Sequence, residues 1–318
     1  MNQTKPLPFF SVVIPAYNSE RYLPATLESV IGQTIRDWEI VVVDDASSDG
    51  TPELLARYAA KYPQIRIFRN EQNSGIAKTL NRGIREARGE WIARLDSDDL
   101  FTPGYLGTLR SFIAELPHSP CFISSWVTVI DGNGAKVLDV RLPSAKTIAR
   151  MMHFENFLYH PATSFPKRVW EQVGGYPDED RKLSEDTEMW KRFFKNDVSL
   201  FMIPKHLVLY RIHQTNTTSF KDGEITKKGS RQSALAQQYH EWRVSLFLKQ
   251  GDLRAARHEL LLLKEIRPAF SLKNTLYYLM TLLPNFLVYG FMWEIRPRMR
   301  RLTKFLKTGL LQARHNPS

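Results

Sequence analysis

The first 100 residues alternate apolar segments with amphipathic ones, and this order constrains the fold more than any other feature. Apolar runs predict strands at Phe10–Pro15, Trp38–Val43, Ile65–Phe68 and Trp91–Leu95. Helical spacing predicts helices at Ser19–Gln33, Thr51–Tyr62 and Gly75–Arg88, the second with Thr51 as N-cap and Pro52 as first helical residue. A repeated strand–helix order is typical of a doubly wound, mostly parallel sheet with helices on both faces. We therefore expect an α/β fold.

Polar side chains follow three of these strands. They occur in Pro15-Ala16-Tyr17-Asn18, in the segment Asp44–Gly50 and in Asp96-Ser97-Asp98-Asp99. Open parallel sheets bind ligands beyond the carboxyl ends of their strands, so these segments predict the site. The chain has neither a G-x-G-x-x-G sequence after a strand nor a G-x-x-x-x-G-K-[ST] sequence, which disfavours dinucleotide-binding and P-loop proteins.

The pair Asp96-x-Asp98 is the sharpest local feature. In an extended chain the side chains of residues i and i+2 point the same way, and two neighbouring carboxylates repel each other unless a cation joins them. Oxygen ligands of this kind suit Mg²⁺ or Mn²⁺, which commonly bridge a diphosphate. The alternative is an acidic loop that precedes a helix at Thr102 and Pro103. The preceding strand and the nearby Asp44-Asp45 pair favour the metal site.

An ordered set of segments across residues 9–220 resembles the inverting family 2 glycosyltransferases of the GT-A fold. The segments are SVVIPAYN, VVVDDASSDGT, NSGIAKTLNRGI, GEWIARLDSDD, VGGYPDE, SEDTEMWKRF and YRIHQTNTTS. Each is weak alone, but their shared order is specific. The resemblance implies that residues 1–220 form a GT-A domain that binds a nucleotide-sugar, with a UDP-sugar as the commonest donor.

The resemblance also implies roles for individual residues on the donor side. Pro15, Ala16 and Tyr17 would form the cradle for the base and ribose, and Asp45 would hydrogen-bond the base. Asp96 and Asp98 would contact the ribose and the Mn²⁺ or Mg²⁺ ion bound to the diphosphate. His213 would help to hold the metal or the diphosphate, although a lone histidine after a strand (here His206–Ile212) is often structural.

The same resemblance makes Asp186 the catalytic base. Chemistry of this type needs a cation near the leaving diphosphate and a metal-free carboxylate for the acceptor hydroxyl. Asp186 falls in the first turn of a predicted helix with Ser184 as N-cap, and an acidic helix start is the alternative interpretation.

Other residues have less support. The sequence assigns no role to Lys78, Arg82, His153, His160 or His206. We expect Trp190 to lie in the core rather than to stack on an acceptor. The single cysteine, Cys121, excludes an internal disulfide framework and is expected to be buried and inert.

The net charge of +11 is unevenly distributed. Residues 221–318 contain 18 basic and 7 acidic residues, which accounts for the whole excess and leaves residues 1–220 neutral. This neutrality disfavours a nucleic-acid partner for the domain. The N-terminus lacks the pattern of a signal peptide, so we expect a cytoplasmic protein.

The basic segment 221–318 is expected to be a helical tail. Residues 233–266 are typical of a helical hairpin, and the uncharged residues 274–293 precede six basic residues between Arg296 and Lys307. The tail could lie on an anionic membrane, pack on the domain or cross the membrane once. Since nucleotide-sugars and basic flanks are both cytoplasmic, peripheral attachment at the inner membrane face is favoured.

We interpret the chain as a metal-dependent inverting glycosyltransferase that moves one sugar to a glycan or lipid-linked acceptor in bacterial surface polysaccharide assembly. A processive synthase is disfavoured because the chain lacks its Q-x-x-R-W sequence. Two alternatives remain, a sugar nucleotidylyltransferase and a non-catalytic scaffold on the same fold.

Overall fold

The computed structural model describes residues 7–152, 156–177 and 184–213, together with Val244, Ala256 and Leu260. The chain divides into two compact units, Met1–Ser219 and Phe220–Ser318.

The described residues of the first unit form nine strands of one sheet. In chain order these are β1 (Phe10–Ala16), β2 (Trp38–Asp44), β3 (Ile65–Arg69), β4 (Trp91–Arg94), β5 (Leu100–Phe101), β6 (Cys121–Ile130), β7 (Lys136–Val140), β8 (Thr163–Pro166) and β9 (Ser199–Arg211). Their order across the sheet is β3-β2-β1-β4-β8-β6-β9-β5, with β7 paired to β6.

Helices connect these strands. Within the described ranges they are α1 (Leu23–Ile31), α2 (Thr51–Lys61), α3 (Ile76–Glu86), α4 (Tyr105–Ala114), α5 (Ala145–Met151), α6 (Lys167–Gln172) and α7 (Glu185–Lys195). A short 3-10 helix, His160–Ala162, precedes β8.

The first half of the sheet is parallel, as expected. The strand β1 lies between β2 and β4, and β3 pairs with β2, all in parallel. Each of these four strands ends within one residue of its predicted end. Beyond β4 the sheet becomes mixed, because β8 pairs antiparallel with both β4 and β6, while β6 and β9 are parallel. The α/β architecture is therefore confirmed, with its parallel strands concentrated in the first half.

Close packing of α3 on the sheet depends on Gly83. A Cβ atom at this position would lie 2.6 Å from Cγ1 of Val13 and 3.2 Å from Cγ2 of Val43. Both valines belong to the fully buried strands β1 and β2. The glycine thus lets the helix backbone approach the apolar surface of the sheet.

The predicted cap of α2 is wrong by one residue. Gly50 is the N-cap, and Thr51 is the first residue of the helix. Oγ1 of Thr51 accepts a hydrogen bond from the backbone N–H of Ser19 at 2.8 Å instead. The hydroxyl is used to fix the loop after β1, which is a tertiary contact that local sequence does not reveal.

The predicted burial of Trp190 and of Cys121 is confirmed. Trp190 is fully buried, and its ring stacks on that of Phe122 with centroids 5.5 Å apart. Cys121 is a buried free cysteine at the start of β6. Because Phe122 lies on β6 and Trp190 on α7, this packing seats α7 against the sheet.

Almost all of the predicted tail lies outside the described residues. Val244, Ala256 and Leu260 are helical and fully buried. Within the described residues, every helix is too short or too polar to cross a membrane. The apolar residues 274–293 and the basic residues after them lie outside that part.

Candidate active site

The carboxyl ends of β1, β2 and β4 meet at one edge of the sheet. Ala16 is in register with Asp44, and the backbone N–H of Asp45 donates to the carbonyl of Ala16 at 2.8 Å. The backbone N–H of Leu95, just after β4, donates to the carbonyl of Val13 at 3.1 Å. These bonds place the three polar segments of the sequence side by side, as the sequence predicts.

Asp45 organises the loop that leads into α3. Its Oδ1 accepts from Nδ2 of Asn70 at 2.7 Å and from the backbone N–H of Ser74 at 2.8 Å. Its Oδ2 accepts from the backbone N–H of Gly75 at 2.9 Å. The carboxylate is almost fully buried, so a hydrogen bond to a nucleotide base would use its remaining lone pairs.

Of the three predicted cradle residues, Tyr17 presents its side chain to solvent. Pro15 and Ala16 are buried within β1, whereas Tyr17 is 50% exposed. The next residue, Asn18, has a φ of 48°, in the left-handed region that asparagine adopts more readily than most residues. Tyr17 is therefore the member of the three whose side chain can contact a ligand directly.

Three carboxylates cluster after β4. One oxygen each of Asp96, Asp98 and Asp99 lies within 4.8 Å of the others. Burial and then the charges of Asp98 and Asp96 raise the pKa of Asp99 well above its ordinary value. Burial also raises the pKa of Asp96, with Arg94 opposing the shift and Asp98 adding to it. Three carboxylates held this close together repel one another when charged, and a bound cation would relieve that repulsion.

His213 joins this cluster. Its Nε2 lies 2.9 Å from Oδ2 of Asp98, and its ring packs against that of Tyr22 with centroids 4.6 Å apart. The side chains of His213 and Asp98 are both mostly buried. The structure therefore brings together Asp96, Asp98 and His213, the three residues that the resemblance assigns to the metal, and metal binding itself stays a prediction.

Arg211 fixes the acidic segment from behind, a role that the sequence analysis missed. Its backbone N–H donates to Oδ1 of Asp99 at 2.6 Å, and its Nε donates to the carbonyl of Asp98 at 2.8 Å. A buried charge within an apolar strand needs a partner, so the arginine inside VLYRI was a usable signal. Arg94 inside WIAR, on β4, was missed in the same way.

Asp186 lies in the first turn of α7, as predicted. Its Oδ2 accepts from Nδ2 of Asn156 at 2.9 Å, and its Oδ1 accepts from the backbone N–H of Thr187 at 2.6 Å. Ser184 is the N-cap by position, but its side chain makes no capping hydrogen bond and its Oγ lies 2.9 Å from Oγ1 of Thr187. The Asp186 carboxylate is partly exposed and keeps lone pairs for a substrate.

The neighbouring Glu185 is unsuited to act as the base. Its Oε1 lies 3.7 Å from Nδ1 of His160, and Nε2 of His160 lies 2.7 Å from the hydroxyl of Tyr176. Although burial acts in the opposite direction, His160 and a nearby positive charge lower the pKa of Glu185 to about 2. A carboxylate with such a low pKa accepts a proton poorly, so Glu185 is a poor candidate for the base, and the assignment of that role to Asp186 stays a prediction. His160, to which the sequence assigned no role, is thus part of the site.

Acid should remove a contribution of Glu185 to stability. Its folded pKa of about 2 lies below the ordinary 4.5, so the contribution is complete above pH 4.5 and disappears as the pH falls toward 2. The full effect is on the order of 3 kcal/mol. Urea unfolding of wild type and Glu185→Gln should therefore differ most at neutral pH and converge on acidification. A constant difference down to about pH 3 would contradict this, and Glu188→Gln serves as the control.

The loop before α7 is clamped to α3 by Asn81. Its Nδ2 donates to the carbonyl of Tyr176 at 2.6 Å, and its Oδ1 accepts from the backbone N–H of Tyr176 at 2.8 Å. Gly175 makes this approach possible, because a Cβ there would lie 2.8 Å from Oδ1 of Asn81 and 3.0 Å from the ring of Trp170.

Gly175→Ala should therefore destabilise the protein more than the adjacent Gly174→Ala. Both glycines have positive φ angles, 71° and 78°, so each alanine costs about 1 kcal/mol of backbone strain. Only residue 175 adds a clash, since nothing lies within 4 Å of a Cβ at Gly174. We expect a loss of about 2 kcal/mol or more for Gly175→Ala in urea unfolding. Equal losses for the two variants would contradict the clamp.

The two basic residues of α3 that the sequence left unassigned differ. Arg82 donates to the carbonyl of Arg69 at 2.6 Å and to Oδ1 of Asn70 at 2.7 Å, so it supports the Asp45 loop. Lys78 is exposed.

Known proteins are similar to the part of this chain that carries most of these site residues. The sequence profile of the family described as "Glycosyl transferase family 2" matches residues 11–168. "Putative glycosyltransferase EpsE" of Bacillus subtilis is 30% identical over 69% of this chain and 77% of its own length. "Chondroitin synthase" of Escherichia coli is 40% identical over 70% of this chain, but the chain spans only 32% of that protein.

A solved structure shows the same fold. S. aureus TarS 1–349 in complex with UDP-GlcNAc superposes with a TM-score of 0.55 and 21% identity, covering 86% of this chain and 79% of that one. The expected GT-A architecture is thereby confirmed. The profile match, the shared length with EpsE and the clustered strand-end residues agree: the chain belongs to glycosyltransferase family 2 and is a glycosyltransferase.

Proposed function

We propose that this glycosyltransferase moves one sugar from a UDP-sugar to a glycan or lipid-linked acceptor, with inversion and with help from a divalent metal. The observation that carries the proposal is the convergence of Asp96, Asp98, Asp99 and His213 at the sheet edge that also holds Asp45. Membership of the family decides against the nucleotidylyltransferase and scaffold alternatives. The TarS structure described with UDP-GlcNAc supports the choice of uridine.

The residues after β4 fit a Mg²⁺ or Mn²⁺ ion. Oδ2 of Asp99 is buried and has no hydrogen-bond partner within the described residues, and it belongs to the cluster. Oδ2 of Asp98 and Nε2 of His213 stand 2.9 Å apart, and neighbouring ligands of an octahedral ion stand roughly 3 Å apart. We assign the ion to Asp98 and His213, with Asp96 beside them. When bound, it would neutralise charge on the diphosphate leaving group.

The protein's own groups supply the other parts of the reaction. Tyr17 offers an exposed ring for the base, and Asp45 shapes the loop beside it. The carboxylate of Asp186 takes the proton from the acceptor hydroxyl while the hydroxyl oxygen attacks the anomeric carbon. A single displacement of this kind forms the new glycosidic bond on the face opposite the departing UDP, so the configuration inverts.

A panel of donors tests the proposal. Thermal unfolding is measured with UDP-Glc, UDP-GlcNAc, UDP-GalNAc, UDP-GlcA, GDP-mannose and dTDP-rhamnose, with Mn²⁺ present throughout. A ligand that binds the native state raises the Tm, and one UDP-sugar should do so clearly. A response limited to GDP-mannose or dTDP-rhamnose would contradict the choice of uridine, and no response to any donor would contradict the proposal.

We propose further that residues 221–318 attach the protein to the cytoplasmic face of a bacterial membrane during surface polysaccharide assembly. The support is their charge of 18 basic against 7 acidic residues and the uncharged stretch 274–293. Anionic headgroups attract such basic segments by about 1 kcal/mol per residue. Deletion of residues 271–318 should move the protein from the membrane pellet to the supernatant, and an unchanged pellet fraction would contradict the proposal.

A further inference from the structure

Arg94 is almost completely buried at the end of β4, two residues before Asp96. Its two terminal nitrogens donate to the two carboxylate oxygens of Asp96, as a bidentate ion pair. Its side chain is 3% exposed, and that of Asp96 is 27% exposed. A planar guanidinium that binds both oxygens fixes the plane of the carboxylate as well as its position, which an ammonium group does not do.

The strand β4, which carries Arg94, pairs with β8, and β8 begins directly after the short 3-10 helix that contains His160. Burial opposes the charge of Arg94, but Asp96, Tyr176 and Glu185 together raise the pKa of the guanidinium above its ordinary value. Glu185 in turn pairs with His160, and His160 contacts the hydroxyl of Tyr176. These four residues, Arg94, His160, Tyr176 and Glu185, are called the bridging cluster below. It extends from Arg94, the partner of Asp96, to Glu185 in the first turn of α7, next to Asp186.

Stability alone does not account for a buried charge cluster. Replacing buried ion pairs by apolar residues of similar volume is often neutral or stabilising. The Nε of Arg94 finds no acceptor among the described residues, so the arginine is incompletely satisfied as well as buried. What the cluster does provide is a defined geometry between two groups that the reaction needs on opposite sides of the sugar.

We propose that Arg94 is a positioning residue: it orients Asp96 toward the donor and, through Glu185 and His160, sets the position of the helix that carries Asp186. This inference rests on the proposed function and deepens it. Arg94 contacts neither the sugar nor the acceptor in this role. Its loss should therefore misplace two groups at once, one that binds the donor and one that acts in turnover.

The first test is Arg94→Lys, which keeps the positive charge but loses the planar guanidinium that binds both oxygens of Asp96. The measurements are the Kd for the UDP-sugar selected by the panel, and KM and kcat for UDP release with Mn²⁺ present. We expect a weaker Kd and a kcat lower by about 10²-fold, as for a misplacement of about 1 Å. The matched control is Arg66→Lys, because Arg66 pairs with Glu39 at 3.2 Å near the opposite end of the strands. The control should keep wild-type kinetics.

Glu185→Gln tests the second part of the proposal, the position of α7, separately from the orientation of Asp96. It also replaces Arg94→Lys as the test if that variant does not fold. It should lower kcat about 10-fold and leave the Kd for the UDP-sugar unchanged, since Asp96 keeps its partner. Wild-type kinetics in folded Arg94→Lys would overturn the inference, as would wild-type kcat in Glu185→Gln when Arg94→Lys does not fold. A wild-type protein that neither binds nor cleaves any donor would overturn the proposed function instead, and this inference with it.

Discussion

Asp186→Asn should lower kcat for sugar transfer by about 10³-fold while the affinity for the donor stays unchanged. An amide cannot accept the proton of the acceptor hydroxyl, and general bases contribute about 10² to 10⁴ in rate. The substitution preserves shape, and the contact with Asn156 can be kept through the amide oxygen. The assay is release of UDP from the donor identified by the panel, with binding measured separately by calorimetry.

The matched control for this prediction is Glu188→Gln. Glu188 lies in the same first turn of α7, so the control makes the same carboxylate-to-amide change in the same helix. It should keep wild-type turnover, because among the described residues no contact joins Glu188 to the acidic cluster. Normal turnover by Asp186→Asn would remove Asp186 as the base, and a loss of donor affinity equal to the loss of turnover would make its role one of binding.

Asp98→Asn should weaken donor binding in the presence of Mn²⁺ by about 10²-fold, the second largest effect that we expect. The change removes one proposed metal ligand and also the partner that orients His213 at 2.9 Å. Loss of such a partner alone costs about 10- to 100-fold in metal affinity. Binding without metal should change little, because the variant would then lack only a contact that the wild type also cannot use.

A surface carboxylate provides the control for Asp98→Asn. Asp139 on β7 pairs with Lys136 at 2.7 Å, and Asp139→Asn repeats the chemical change on a different strand. The control should respond to Mn²⁺ as the wild type does. If Asp98→Asn also keeps the full response to Mn²⁺, the assignment of the metal to Asp98 and His213 is wrong.

The parallel half of the sheet was predictable from the sequence because its signals are local. Each of β1, β2 and β3 is an apolar run followed by a helix, β4 is the apolar run that follows the third of these helices, and such units pack in parallel with few alternatives. The positions of Asp45, Asp96 and Asp98 follow directly, since they come just after strand ends. Predicting these positions requires only the local sequence and not the pairing of strands that lie far apart along the chain.

The second half of the sheet was not predictable, because its strand pairing does not follow from local signals. The four-residue strand β8 carries too little pattern to reveal that it lies between β4 and β6. Of β9, only the segment from His206 onward was predicted, since Pro204 interrupts the strand pattern. The register between β6 and β9 shifts next to that proline. Non-local pairing, not local propensity, decides these features.

The missed site residues share one property. Arg94, Arg211 and His160 are polar groups buried among apolar neighbours, and each contacts a partner more than ten positions away or an acidic residue of the site. Sequence shows that a buried charge needs a partner but does not name it. The structure names Asp96, Asp99 and Glu185 as those partners, and so connects the acidic segment with α7.

The most direct test of the proposed metal site is calorimetric titration of UDP into the wild-type protein, with Mn²⁺ and then with EDTA. We propose that the diphosphate lies next to an ion held by Asp98 and His213, so removal of the ion should leave the negative charge of the phosphates without its main partner. The Kd for UDP should therefore be at least about 10-fold lower with Mn²⁺ than with EDTA. An equal Kd in the two conditions would contradict a metal ion that contacts the diphosphate at Asp98 and His213.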